Sequence, residues 1–117
     1  MSNTSKLKHE QIQYVELLTL DIASTKSFYT QCFNWEFTDY GSEYTAFEGE
    51  NVDGGFTVGK PVNGSILVIL YSDNLEVTKE KVIQAGGNIV KDIFSFPGGR
   101  RFHFTDNNGY ELAVWAY

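Results

Sequence analysis

Cysteine, basic charge and long apolar runs are all scarce in this chain of 117 residues. Its one cysteine, Cys32, excludes an intramolecular disulfide and a zinc site built from cysteines. A reducing, cytoplasmic setting is the expectation that follows. Nine Lys and Arg stand against fifteen Asp and Glu, a net charge of -6. That balance argues against nucleic acid or an anionic membrane surface as the main partner, and it permits a cationic ligand. The longest apolar run, residues 66–71, has the length of a core strand and falls far short of a bilayer span. Residues 1–11 are polar, so no secretory signal or membrane anchor is expected there, and they read as a flexible tail. No loop joins glycines to the lysine and serine or threonine of a phosphate-binding loop, so nucleotide binding is not indicated.

What is present points to a folded domain. The 42% hydrophobic and 15% aromatic fractions exclude a disordered or collagen-like chain. The length suits one domain, burying roughly 65% of its unfolded surface. Residues 12–20 are rich in Val, Leu, Thr and Tyr and read as a strand. Residues 21–24 offer helix-starting side chains, and Ile22, Phe28, Tyr29, Cys32 and Phe33 then make one apolar helix face. Strands are expected at 35–39, 43–48 and 55–59, punctuated by Gly41, Gly49, Gly54 and the Lys60-Pro61 pair. A fourth run at 65–71 precedes Asp73 and Asn74, which cap a second helix with Leu75, Val82, Ile83 and Ala85 on its apolar face. Gly86-Gly87 ends it. Strands at 88–94, 100–105 and 110–115 follow.

Each half therefore reads strand, helix, strand, strand, strand, with Leu20-Asp21 and Ser72-Asp73 in equivalent places. The order recurs more clearly than the residues do. The expected fold is α+β: two tandem βαβββ units, about 12–60 and 64–117, forming a curved mixed sheet around a groove within one domain, 12–117. Alternation assigns the faces. Tyr14 and Glu16 of the first strand, and Glu111, Ala113 and Trp115 of the last, are expected toward the groove. Val15, Leu17, Leu112 and Val114 are expected under the helices.

Three motifs carry a resemblance to a known family. Phe104-Thr105-Asp106-Asn107-Asn108-Gly109-Tyr110-Glu111-Leu112 looks like a turn into the last strand of the vicinal oxygen chelate superfamily. That superfamily includes glyoxalase I, extradiol dioxygenases and bleomycin-resistance proteins. Phe28-Tyr29 followed by Phe33-Asn34-Trp35 is similar to its first helix, and Ala85-Gly86-Gly87-Asn88 to the bend after its second. The resemblance runs from Tyr14 to the C-terminus.

Metal-dependent members draw His and Glu ligands from the first, fourth, fifth and last strands. Carried over through the flanking motifs, the first ligand falls on Tyr14, the third on Leu67 and the last on Ala113. The fourth-strand ligand falls within residues 56–58, which offer only a threonine hydroxyl. Leu67 and Ala113 have no donor atom, so the resemblance implies a member without the usual metal and without a cofactor.

The groove residues singled out are Tyr14, Glu16, Leu67, Tyr71, His103, Glu111, Ala113 and Trp115. Glu16 and Glu111, expected on neighbouring strands, are candidates for a base and an acid, or for holding a cation. Pairing with Arg100 and Arg101 is the plainer role for them. His103 is a third catalytic candidate, or a hydrogen-bonded structural histidine. Tyr14, Tyr71 and Trp115 offer flat walls to an aromatic or cationic ligand, or seal a dimer contact. The expected function is a glyoxalase/bleomycin-resistance-like protein binding a small molecule in its groove without the divalent metal. The alternative is a glyoxalase-related lyase or isomerase using groove Glu and His residues or an atypical metal site. A homodimer is implied by the resemblance.

Overall fold

The computed structural model describes residues 7–117. Residues 1–6 of the expected tail lie outside the described residues, and residues 7–11 are exposed. The first unit contains β1 (Tyr14–Thr19), α1 (Ile22–Phe33), β2 (Phe37–Asp39), β3 (Tyr44–Phe47) and β4 (Asp53–Val58). The second contains β5 (Val68–Tyr71), α2 (Leu75–Gln84), β6 (Asn88–Phe96), β7 (Gly99–Thr105) and β8 (Glu111–Ala116). Each unit supplies its own mixed sheet, ordered β1-β4-β3-β2 and β5-β8-β7-β6, with the first strand parallel to the last. The α+β reading and the tandem βαβββ order hold. Strands β1 and β5 begin later than their apolar runs suggest. Ile12 is exposed, and Gly64 and Ser65 both take positive φ, which keeps the linker turned rather than extended.

The duplication is visible in the hydrogen bonds. Thr19 Oγ1 meets Thr25 Oγ1 at 2.8 Å, and Ser72 Oγ meets Thr78 Oγ1 at 2.7 Å. Asp21 caps α1 by accepting from Ser24 N, and Asn74 caps α2 by accepting from Val77 N. Asn74 follows Asp21 by 53 positions, as Ser72 follows Thr19 and Thr78 follows Thr25. The true equivalent of Asp21 is thus Asn74, one residue beyond the Asp73 suggested by the sequence. Helix α1 stops where Asn34 turns left-handed, φ 60, while its N–H still donates to the Thr30 carbonyl. Gly86, at φ 94, does the same for the chain leaving α2.

One core joins the units on their helix side. Phe28, Tyr29 and Cys32 of α1 pack with Leu75 and Val82 of α2 and with Phe56, Phe102, Phe104, Leu112 and Val114 of the strands. Val15 and Leu17 lie on the helix side of β1, with Leu17 packed against this cluster, as alternation requires. The turn between β7 and β8 clasps the first unit. Tyr29 Oη donates to Asp106 Oδ2 at 2.6 Å, Leu18 N donates to Tyr110 Oη at 3.0 Å, and Thr19 Oγ1 donates to Asn108 Oδ1 at 2.8 Å. Burial and the Asp106 carboxylate push the Tyr29 phenol well above its ordinary range. Cys32 is fully buried, and desolvation raises its thiol to about 11. It is a packing residue.

Candidate functional site

The faces turned away from the helices carry the polar chemistry. On the first sheet, Tyr14 and Glu16 of β1 share their side with Tyr44 of β3 and Gly55 of β4. Tyr44 Oη donates to Glu16 Oε1 at 2.9 Å, so Tyr14 Oη, 2.6 Å away, donates to Tyr44. Burial, followed by the hydrogen bonds to Tyr14 and Glu16, raises the Tyr44 phenol far above its usual value. Gly55 makes this relay possible, because a Cβ there would strike both phenol oxygens. Gly54 leaves similar room for the Phe47 ring on the opposite side of the strand.

A cleft of about 680 Å³ opens beside this relay. Tyr14, Tyr40 and Tyr44 line it with Glu36, Glu48 and Asp53, while Trp35, Phe37 and Phe47 border it and pack their rings against the helix-side core. Among the described residues no lysine or arginine lines it. Trp35 is fixed by stacking on Phe47 at 4.3 Å and on Tyr29 at 4.8 Å. Apart from Tyr14, this cleft was missed in the sequence. The signals for it were Tyr44 and Ala46 alternating on β3 and the adjacent Gly54-Gly55.

The second sheet holds the other candidates. His103 of β7 and Glu111 of β8 come together, with Nδ1 and Oε2 2.7 Å apart. His103 is only 5% exposed, and its Nε2 has no hydrogen-bond partner among the described residues. Glu111 also lines a smaller cleft of about 290 Å³ with residues 63–67, which include Leu67. Ala113 is buried between its register partners Ile69 and His103. Tyr71 and Trp115 meet edge to face at 5.3 Å, and Tyr117 joins Trp115 at 5.0 Å.

The expected Glu16–Glu111 pair is corrected by the topology. Strand β1 bonds to β4 in one sheet, and β8 lies between β5 and β7 in the other, so the two strands are not neighbours. Each glutamate has its own partner, Tyr44 for Glu16 and His103 for Glu111. Arg100 serves neither, since it pairs with Glu76 at 2.6 Å.

The positions where the resemblance puts metal ligands fit a divalent ion poorly. Tyr14 is committed to Tyr44, while Leu67 and Ala113 bring no donor. Of residues 56–58, Phe56 is in the core and Thr57 alone shares the side of Tyr44. Among the described residues no group of three or more His, Cys, Asp or Glu side chains is placed to hold a metal.

Two βαβββ units, helices inward and polar sheet faces outward, define the class of paired-unit folds built to present groove residues on strands. The family model described as the Glyoxalase/Bleomycin resistance protein/Dioxygenase superfamily matches residues 11–114. The chain belongs to that superfamily. Proteins of Mycobacterium bovis and Mycobacterium tuberculosis named "Putative glyoxylase CFP32" are 26% identical over 98% of this chain. The chain spans 49% of the length of those curated relatives. A glyoxalase-related enzyme from Fulvimarina pelagi has a similar structure, with TM-score 0.81, 18% identity and coverage of 92% of this chain and 88% of that one. The fosfomycin resistance protein FosX of Listeria monocytogenes matches at TM-score 0.79 and 16% identity, over 94% and 95% of the two chains. These likenesses establish the shared fold. No helix among the described residues is long and apolar enough to cross a membrane.

Proposed function

We propose that this chain is a small-molecule-binding member of its superfamily that works without the divalent metal, and that it takes a cationic aromatic ligand in the cleft beside Tyr44. The observation that carries this reading is the lining of that cleft, which combines Tyr14, Tyr40 and Tyr44 with three carboxylates and, among the described residues, no lysine or arginine. Such walls attract an organic cation twice, through ring faces and through net negative charge. The chain's net charge of -6 acts in the same direction. The chemistry of the donor set supports the metal-free part, since two of the four inherited positions are aliphatic.

Phenyltrimethylammonium is a direct probe. Calorimetric titration of the full chain is expected to give binding that Tyr44→Ala weakens about tenfold, the loss of one good cation–π wall. Protein purified without chelators is expected to carry far less than one metal per chain by elemental analysis. Affinity untouched by Tyr44→Ala would move the ligand elsewhere, and stoichiometric nickel, zinc, iron or manganese would overturn the metal-free reading.

The proposal extends to a homodimer. Ile69 and Tyr71 of β5 lie on the outward face of the second sheet and are 45% and 52% exposed. Apolar groups so placed on one strand suit a contact with a second copy.

A further inference from the structure

The second sheet carries a cluster of opposite character to the acidic cleft. Two register shifts in β6, one between Ile89 and Lys91 and one between Lys91 and Phe94, let both Lys91 and Phe94 face the same side as Arg101 and His103 of β7. The Arg101 guanidinium lies 5.4 Å from the Phe94 ring centre and 5.6 Å from that of Phe96. The Lys91 ammonium lies 5.2 Å from Phe94, and the His103 ring 5.9 Å from it.

This cluster is short of hydrogen-bond partners. Arg101 Nε and His103 Nε2 are both buried, and neither has a hydrogen-bond partner among the described residues. A buried polar atom left in that state is costly, and native structures rarely tolerate it without a ligand or water to satisfy it. The basic groups that pair with Asp39, Asp92 and Glu76 are Lys26, Lys79 and Arg100, so Lys91 and Arg101 remain without a carboxylate among the described residues. Glu111 is held by His103.

We propose that Arg101, Lys91 and His103, grouped around Phe94, form a binding site for a small hydroxycarboxylate. The planar guanidinium, braced by two rings, offers Nε–H and one Nη–H side-on to a carboxylate. Lys91 adds a second positive charge. With Nδ1–H donating to the Glu111 carboxylate, the neutral imidazole presents Nε2 as a lone-pair acceptor for a hydrogen bond from a ligand hydroxyl. Arg101 and His103 stand two residues apart on one strand face, about 6.7 Å, so the two ligand groups belong at opposite ends of a short rigid spacer such as a benzene ring. The site is on the other sheet from the acidic cleft and does not depend on that cleft being occupied.

A matched trio separates the contributions: 4-hydroxybenzoate, benzoate, which lacks the hydroxyl, and 4-hydroxybenzamide, which lacks the charge. Titrated into the full chain, 4-hydroxybenzoate is expected to bind tightest, benzoate severalfold weaker and the amide weakest. Arg101→Lys keeps the charge but loses the fork, and is expected to cost about tenfold. His103→Gln is expected to abolish the preference for 4-hydroxybenzoate over benzoate. Ring nitrogen chemical shifts of His103 in the unsubstituted chain read the same contact without any variant, and they are expected to move with 4-hydroxybenzoate but not with benzoate. Equal binding of acid and amide, no binding of any carboxylate, or unmoved His103 shifts would each overturn the proposal. Displacement of 4-hydroxybenzoate by phenyltrimethylammonium would also overturn it by merging the two sites, whereas loss of ammonium binding alone would leave it standing.

Discussion

Tyr29 shows how much a single side chain does in this fold. Its ring stacks on Trp35, and so steadies one wall of the acidic cleft, while its hydroxyl reaches the turn of the other unit. Asp106 is 6% exposed, and burial raises its carboxyl even though Tyr29 and the backbone N–H groups of Asn108 and Tyr110 pull it down. Tyr29→Phe keeps the ring and deletes one of those compensating donors. The expected loss is about 2 kcal/mol, the usual worth of a buried hydrogen bond to a charged group. Urea denaturation should show a lower midpoint with an unchanged slope. A loss under about 0.5 kcal/mol would mean that Asp106 is satisfied without the phenol. Tyr44 occupies the matching position in the ligand argument. Its hydroxyl is the middle of a three-group chain, which the alternation of Tyr44 and Ala46 on β3 hints at but does not fix, because Tyr14 and Glu16 reach it from a strand distant in sequence.

The two helices are equivalent by position and differ in how they begin. Asp21 brings a charge to the start of α1, whereas Asn74 caps α2 with a neutral amide and Glu76 supplies the first-turn charge. Asn74→Ala is expected to cost about 1 kcal/mol and lower the melting temperature by about 5 °C, with Asn74→Asp at or slightly above the starting value. Thermal unfolding followed by circular dichroism reads this directly, and an alanine variant melting within about 1 °C of the parent would refute the capping role. The helices and the strand order were legible because apolar spacing and capping residues are local signals. Outer and inner faces of β1 and β8 were legible for the same reason, since alternation alone separates Glu16 from Leu17 and Glu111 from Leu112. The partition into two sheets was not, because which strands bond depends on contacts distant in sequence. That is why Glu16 and Glu111 looked like neighbours. The β6 register shifts were equally hidden, and with them the meeting of Lys91, Phe94 and Arg101.

Across the whole chain, one apolar core on the helix side leaves both sheets with an uncovered face, and those faces differ in character. The first offers the Tyr14–Tyr44–Glu16 chain and an acidic aromatic cleft. The second offers Lys91, Arg101 and a band of Ile69, Tyr71 and Trp115. A chain of this size has too little core to cover both faces itself. A second copy seated on the Ile69–Tyr71 band of edge strand β5 meets part of that need through a two-fold contact and leaves the acidic cleft and the Lys91–Arg101 cluster open to ligands. The proposed dimer therefore predicts a sedimentation mass of two chains, and Ile69→Glu, which buries a carboxylate in the apolar band, should return it to one. Because Ile69 is 45% exposed within the single chain, that substitution should leave the melting temperature of the dissociated protein nearly unchanged. A mass of one chain for the unsubstituted protein at high micromolar concentration would reject the dimer, and the exposed band would then be open to solvent or ligand instead.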